Sequence, residues 1–169
     1  GGASQQFAAI PMNLMRHKKV GYIITGQWAK KAAAEARKYG QVVELASSAD
    51  KTFSYIPDLS RLPITEDMDY VYICQNNTIY GTRYSELPDT KGRDLVSDVS
   101  SMFLSEPVDI SNYAIMYGGV QKNVGPAGLV IDVIREDLIR EDLDEDVPTM
   151  LRFATQAAAG RLRSCLTTA

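Results

Sequence analysis

Residues 19–46 constrain the fold more than any other part of the chain. "KVGYIITG" (19–26) is a β-branched, apolar run ending in Gly, the pattern of a strand. "QWAKKAAAEARKYG" (27–40) follows with helical periodicity. Its apolar stripe is Trp28, Ala32, Ala36 and Tyr39, while Lys30, Lys31, Glu35 and Lys38 face water; Gly40 suits the C-cap. A second short strand, "QVVELA" (41–46), comes at once. Strands alternating with helices, several apolar on both faces, argue for a layered α/β domain.

Further strands are predicted at "DYVYICQN" (69–76), "LVSDVS" (95–100), "YAIMYGG" (113–119) and "AGLVIDVIRE" (127–136). The last two flank a short Gly/Pro turn, which predicts an antiparallel pair in a mixed, mostly parallel sheet. Ser4 is placed to cap a helix through "QQFAAIPMNLM", with Phe7, Ile10 and Leu14 on one face and Pro11 expected to kink or shorten it. Residues 47–68, with Pro57 and Pro63, read as irregular, and 77–89 as a loop with edge-strand character. Residues 152–169, "RFATQAAAGRLRSCLTTA", read as a weak helix unlike a natural domain end. The chain opens on "GGASQQF" without Met, so a fragment or partial reading frame is expected.

Composition narrows the function. With 169 residues the chain suits one domain with a sizeable core, and a net charge of −3 offers no strong attraction to nucleic acid or an anionic membrane. Cys74 and Cys165 stand far apart and His17 is the single histidine, so no metal site is expected. No apolar run approaches membrane-spanning length and no signal peptide is visible, so a cytoplasmic setting is the default.

Four features bear on chemistry. Lys122 lies in "YGGVQKNVGPAGLVIDVIRED", between two apolar runs. It reads either as a solvated turn lysine or as a nucleophilic amine, desolvated by the strands and able to form a Schiff base. Asp98 lies at the C-terminal end of the apolar strand in "LVSDVS". It reads as a cap or turn former, or as the carboxylate that a pyridoxal enzyme needs beside its ring nitrogen, since strand ends face the ligand crevice. "GGASQQF" is either an ordinary Gly turn or, with its free N–H groups at a helix start, a phosphate site. Trp28, directly after a strand end, is core or a flat wall for an aromatic cofactor.

Five stretches, "GGASQQFAAIPMNLM", "GQWAKKAAAEARKYG", "NNTIYGTRYSELPD", "LVSDVSSMFLSEPVDIS" and "YGGVQKNVGPAGLVIDVIRED", together resemble the phosphoserine aminotransferase family in that family's order. These are pyridoxal-5'-phosphate enzymes of fold type I, class V. The resemblance covers residues 1–151 and implies a partial large cofactor-binding domain of α/β/α layers; 152–169 reads as a divergent tail. Lys122 would be the Schiff-base lysine, Asp98 the partner of the pyridinium nitrogen, and Trp28 the stacking wall. Ala3 and Ser4 would offer N–H groups to the cofactor phosphate, Gln121 would contact that phosphate, and Thr78 would bond the ring hydroxyl. Cysteine desulfurases of the same superfamily typically carry His before the lysine, where this chain has Gln121.

The implied reaction moves the amino group of glutamate to 3-phosphohydroxypyruvate, giving O-phosphoserine, in a homodimer. Substrate-binding basic segments and a C-terminal small domain known in the family are absent from these residues. The chain alone is therefore expected to be inactive. A non-catalytic cofactor-binding fragment and a related transaminase with another acceptor remain as alternatives, and a frameshifted or prematurely ended reading frame would account for the tail.

Overall fold

A computed structural model gives the structure of the chain and describes residues 2–159 together with the backbone of 166–168. The apolar runs are strands β1 (Lys19–Ile24), β2 (Gln41–Ser47), β3 (Tyr70–Cys74), β6 (Asp94–Asp98), β7 (Ile115–Gly119) and β8 (Val130–Ile134). Two two-residue strands, β4 (Asn76–Asn77) and β5 (Thr82–Arg83), make the edge ribbon expected in 77–89. The helices are α1 (Gln6–Leu14), α2 (Gln27–Ala36) and α3 (Phe153–Ala159). The tail helix therefore ends early, and Leu166–Thr168 adds a strand, β9, where helix was expected. Residues 160–165 and 169 lie outside the described residues.

Among the described residues, seven strands form one sheet in the order β2–β1–β3–β6–β7–β8–β9. The first four pairings are parallel, and β7–β8 and β8–β9 are antiparallel, so the sheet is mixed and mostly parallel as the Gly/Pro turn predicted. β1 sits between β2 and β3. The chain leaves β1 through α2 to reach β2, then returns to the other side of β1 for β3. That reversal opens a crevice at the carboxyl ends of the strands.

Two cores cover the sheet. On one face Phe7, Ile10 and Leu14 of α1 and Ala29, Ala32, Ala33 and Ala36 of α2 pack with Tyr22, Tyr72 and Phe153. The alanine stripe lets α2 lie close against the strands. On the other face irregular chain, not α-helix, supplies Leu62, Ile64, Tyr84 and Phe103 against Ile23, Val71 and Ile73. Pro11 does not end α1: it forfeits the bond to the Phe7 carbonyl, yet the helix runs three residues further and closes with Met15 N–H on the Pro11 carbonyl at 3.0 Å.

Gly40 is not the α2 cap. The helix closes at Arg37 in right-handed geometry, and Gly40 serves a close approach instead. A Cβ there would lie 2.5 Å from the Lys18 carbonyl oxygen, which already accepts from Gln41 N–H at 2.7 Å. Backbone cannot step aside cheaply, so Gly40→Ala is expected to destabilise the fold by about 1–3 kcal/mol. A denaturant midpoint unchanged from wild type would contradict this.

Candidate active site

Because β1, β3, β6 and β7 run parallel, their carboxyl ends share one edge of the sheet. Trp28 opens α2 just beyond β1, Asp98 is the last residue of β6, and Gln121 and Lys122 lie on the turn after β7. The turn Ala3–Gln5, entered from Gly2 at φ 73°, brings the N-terminal residues to the same edge. Gly2, Ala3, Ser4, Trp28, Asp98, Gln121 and Lys122 line one cavity of about 160 Å³, together with Phe7 and Ser100. Six residues singled out in the sequence thus converge: Ala3, Ser4, Trp28, Asp98, Gln121 and Lys122.

Asp98 is the only anion lining the cavity among the described residues, and it is 6% exposed. Its Oδ1 accepts from the Ser100 N–H at 3.0 Å and the Ser100 hydroxyl at 2.6 Å. The Ser100 Oγ in turn accepts from Gly119 N–H at 3.0 Å, tying the end of β6 to the end of β7. Burial pushes the Asp98 carboxyl above its usual range; the Ser100 bonds, the Lys122 ammonium and the Tyr117 hydroxyl pull it back without fully offsetting burial. Tyr117 is itself buried and shares a 2.7 Å hydrogen bond with the Tyr72 hydroxyl.

Trp28 is half-buried. The ammonium of Lys31 stands 4.5 Å and that of Lys122 5.3 Å from its ring centroid, both within cation–π range. Of the two readings of Asp98, the turn former is seen in its bonds to Ser100, and the same carboxylate lines the cavity.

Three expectations need correction. Lys122 is exposed, not desolvated by the flanking strands, because the turn carries it beyond the sheet edge. Ser4 caps no helix: residues 3–5 are already wound into a turn, so its hydroxyl is exposed and makes no cap bond. Thr78 shares the carboxyl edge but is exposed in the turn between β4 and β5 and does not line the cavity. Sequence reading missed Phe7 and Ser100. Asp98-Val-Ser100 is the spacing of an Asx turn, a signal that was present.

Gly119 has a defined task. A Cβ there would lie 2.7 Å from Gln121 Oε1 and 3.3 Å from Ala3 Cβ, between the lysine turn and the N-terminal turn. Gln121 can swing away, so Gly119→Ala is expected to leave stability nearly unchanged while weakening binding of a phosphorylated ligand by about tenfold. Titration with pyridoxal phosphate checks it; equal affinity would contradict it.

A slightly larger cavity, about 190 Å³, lies at the opposite edge around Arg16, Asp69, Arg93, Asp94 and Arg135. Its charges are mostly spent locally: Arg135 pairs with Asp94 and Asp137, and Asp69 is hydrogen-bonded by the His17 backbone N–H and ring nitrogen. In the smaller cavity an amine, a buried carboxylate and an indole meet instead.

The family model Aminotransferase class-V matches residues 1–144. The chain belongs to the class-V aminotransferase family. Among relatives in that family, phosphoserine aminotransferase of Bacillus cereus (strain ATCC 14579) is 51% identical over 156 residues, covering 92% of this chain and 43% of that protein. That of Bacillus anthracis (strain A0248) is 47% identical over 167 residues, covering 98% of this chain and 46% of that protein. The solved phosphoserine aminotransferase of Bacillus circulans subsp. alkalophilus superposes with a TM-score of 0.88 at 38% identity, over 94% of this chain and 44% of that one. The chain thus spans less than half the length of the relatives it matches. A pyridoxal-phosphate-bound phosphoserine aminotransferase from Trichomonas vaginalis gives a TM-score of 0.85 at 32% identity, over 94% of this class-V chain and 45% of its own.

Proposed function

We propose that this chain carries the cofactor-binding centre of a pyridoxal-phosphate-dependent transaminase that moves the amino group of glutamate to 3-phosphohydroxypyruvate, giving O-phosphoserine. The observation that supports it most is the convergence of Lys122, Asp98, Trp28 and the Gly2–Ser4 turn on one cavity. The relatives named above add to it.

The residues fit a phosphorylated pyridine. The first N–H groups of a helical turn have no partner inside it, which leaves Ala3 and Ser4 to bind a phosphate, with Gln121 beside them. Trp28 offers a flat face and Asp98 one buried carboxylate. Pyridoxal phosphate, when bound, supplies an aldehyde and a ring that withdraws electrons from the substrate carbon. Asp98 then holds a proton on the ring nitrogen by its charge, and Ser100 keeps that carboxylate oriented. Lys122 would take a proton from the substrate carbon at its Nζ and later return one. Its exposure on a turn leaves its stem free to swing. Thr78 would reach the ring hydroxyl only by moving in from the edge ribbon.

A second reading is a chain that binds the cofactor without turnover. Lys122 is the only cation lining the cavity among the described residues. A substrate bearing both phosphate and carboxylate needs more, since charge pairing and orientation supply much of the barrier reduction. Further cations would come from elsewhere in a longer protein, or from the second subunit of a homodimer. Two measurements separate the readings. Pyridoxal phosphate added to the chain should give a visible absorbance band that borohydride abolishes, and glutamate-dependent phosphoserine formation should be assayed alongside. A folded chain with no band sinks both readings; a band without phosphoserine favours the second.

A further inference from the structure

We infer that Asp132 is a neutral carboxylic acid locked in a reciprocal hydrogen-bonded pair with Gln6, and that this pair positions the Gly2–Ser4 turn against the sheet. Gln6 is the first residue of α1, directly behind that turn, and Asp132 is the central residue of β8. They are 3% and 1% exposed. The Gln6 Nε2 donates to Asp132 Oδ2 at 2.8 Å. The two remaining atoms of the pair, Gln6 Oε1 and Asp132 Oδ1, are buried and without a partner among the described residues. Both are acceptors, so an ionised Asp132 leaves both orphaned. One proton resolves this: on Oδ1 it makes an O–H that donates to Gln6 Oε1 and closes an acid–amide ring of two hydrogen bonds.

The surroundings favour that proton. α1, "QFAAIPMNL", and α3, "FATQAAA", carry no titratable side chain, and neither does β9, "LTT". β7 faces Asp132 with Tyr117 in register, whose own hydroxyl is pushed up by burial. The charges of the cavity, Asp98 and Lys122, sit at the end of β6 and beyond the end of β7. Among the described residues no cation opposes it, and burial pushes the Asp132 carboxyl up to about 8. A raised value means the stabilisation is complete below the ordinary carboxylate range and is lost as pH rises toward 8. Only the role given to the turn rests on the cofactor reading; the pair itself does not.

The test compares wild type with Asp132→Asn, whose amide can accept from Gln6 Nε2 and donate to Gln6 Oε1 at every pH. The infrared difference between them at about pH 6 should show a carboxylic-acid carbonyl band from wild type that is gone at about pH 9. Relative to the variant, the wild-type folding equilibrium should weaken by about tenfold per pH unit between pH 5 and 8. No such band, or identical pH slopes, overturns the pair. For the positioning role, pyridoxal-phosphate affinity should fall at about pH 9 in wild type but not in Asp132→Asn, and should fall at all pH in Gln6→Leu. Affinities unaffected by either change overturn positioning. Absence of cofactor binding in every variant, with the band and slope present, overturns the cofactor reading and leaves the pair standing.

Discussion

Lys122→Ala should eliminate the visible absorbance expected when pyridoxal phosphate is added to the wild-type chain, along with its fixation by borohydride, and should do so without unfolding the protein. Lys122 is exposed on the turn after β7 and makes no hydrogen bond or ion pair among the described residues; its ammonium stands 5.3 Å from the Trp28 ring centroid. Truncating such a side chain changes stability by about 0.5 kcal/mol or less. The chemical loss is of another order, because no other amine lines the cavity among the described residues. In a longer protein that turns over, removing the amine that serves as nucleophile and base should reduce kcat by several orders of magnitude. Lys31 also stands over Trp28, at 4.5 Å, and is the candidate bypass. Absorbance and borohydride labelling, located by peptide mass, decide the matter. A labelled Lys31 in wild type, or an undiminished band in Lys122→Ala, would remove Lys122 from its assigned role.

Asp98→Asn is expected to act in opposite directions on stability and on function. Burial holds the Asp98 carboxyl above its ordinary range, so in the ligand-free protein its contribution to stability is lost as pH rises through that raised value. The isosteric amide keeps an acceptor for the Ser100 N–H and hydroxyl and carries no charge to desolvate. The thermal midpoint near pH 7 should therefore rise or hold, and its dependence on pH across the carboxylate range should flatten. Function should fall. A neutral amide cannot hold a proton on a ring nitrogen, so turnover in a longer, active protein should drop by at least about 100-fold while part of the cofactor affinity survives. Calorimetry across pH and single-turnover kinetics together test this. A variant with unchanged turnover would exclude the charge role, and one less stable at neutral pH would show that burial of the carboxylate is not a cost.

Most elements were legible because they rest on local rules. The β-branched runs at 19–26 and 69–76 and the alanine stripe of α2 announce their periods within a few residues. The Gly/Pro turn before β8 told the direction of that strand, since a short turn can only reverse the chain. The residues that line the cavity were legible in the sequence as well: the Gly2–Ser4 turn, Trp28, Asp98 and Lys122 stand in that order along the chain, and the parallel pairing brings their strand ends together.

What the tertiary structure alone decided is the environment of each group, which depends on neighbours distant in sequence. Gly40 looked like a helix cap, but its constraint is the Lys18 carbonyl of β1's approach. Lys122 looked desolvated between apolar strands, yet those strands stop before it and the turn projects it outward. Asp132 was only one polar letter in "VIDVI"; its proton follows from β8 lying between β7 and β9, with Gln6 of α1 laid across it. A residue's type and period are local properties of the chain, whereas burial, field and unmet hydrogen bonds are set by whichever segments the sheet order places beside it.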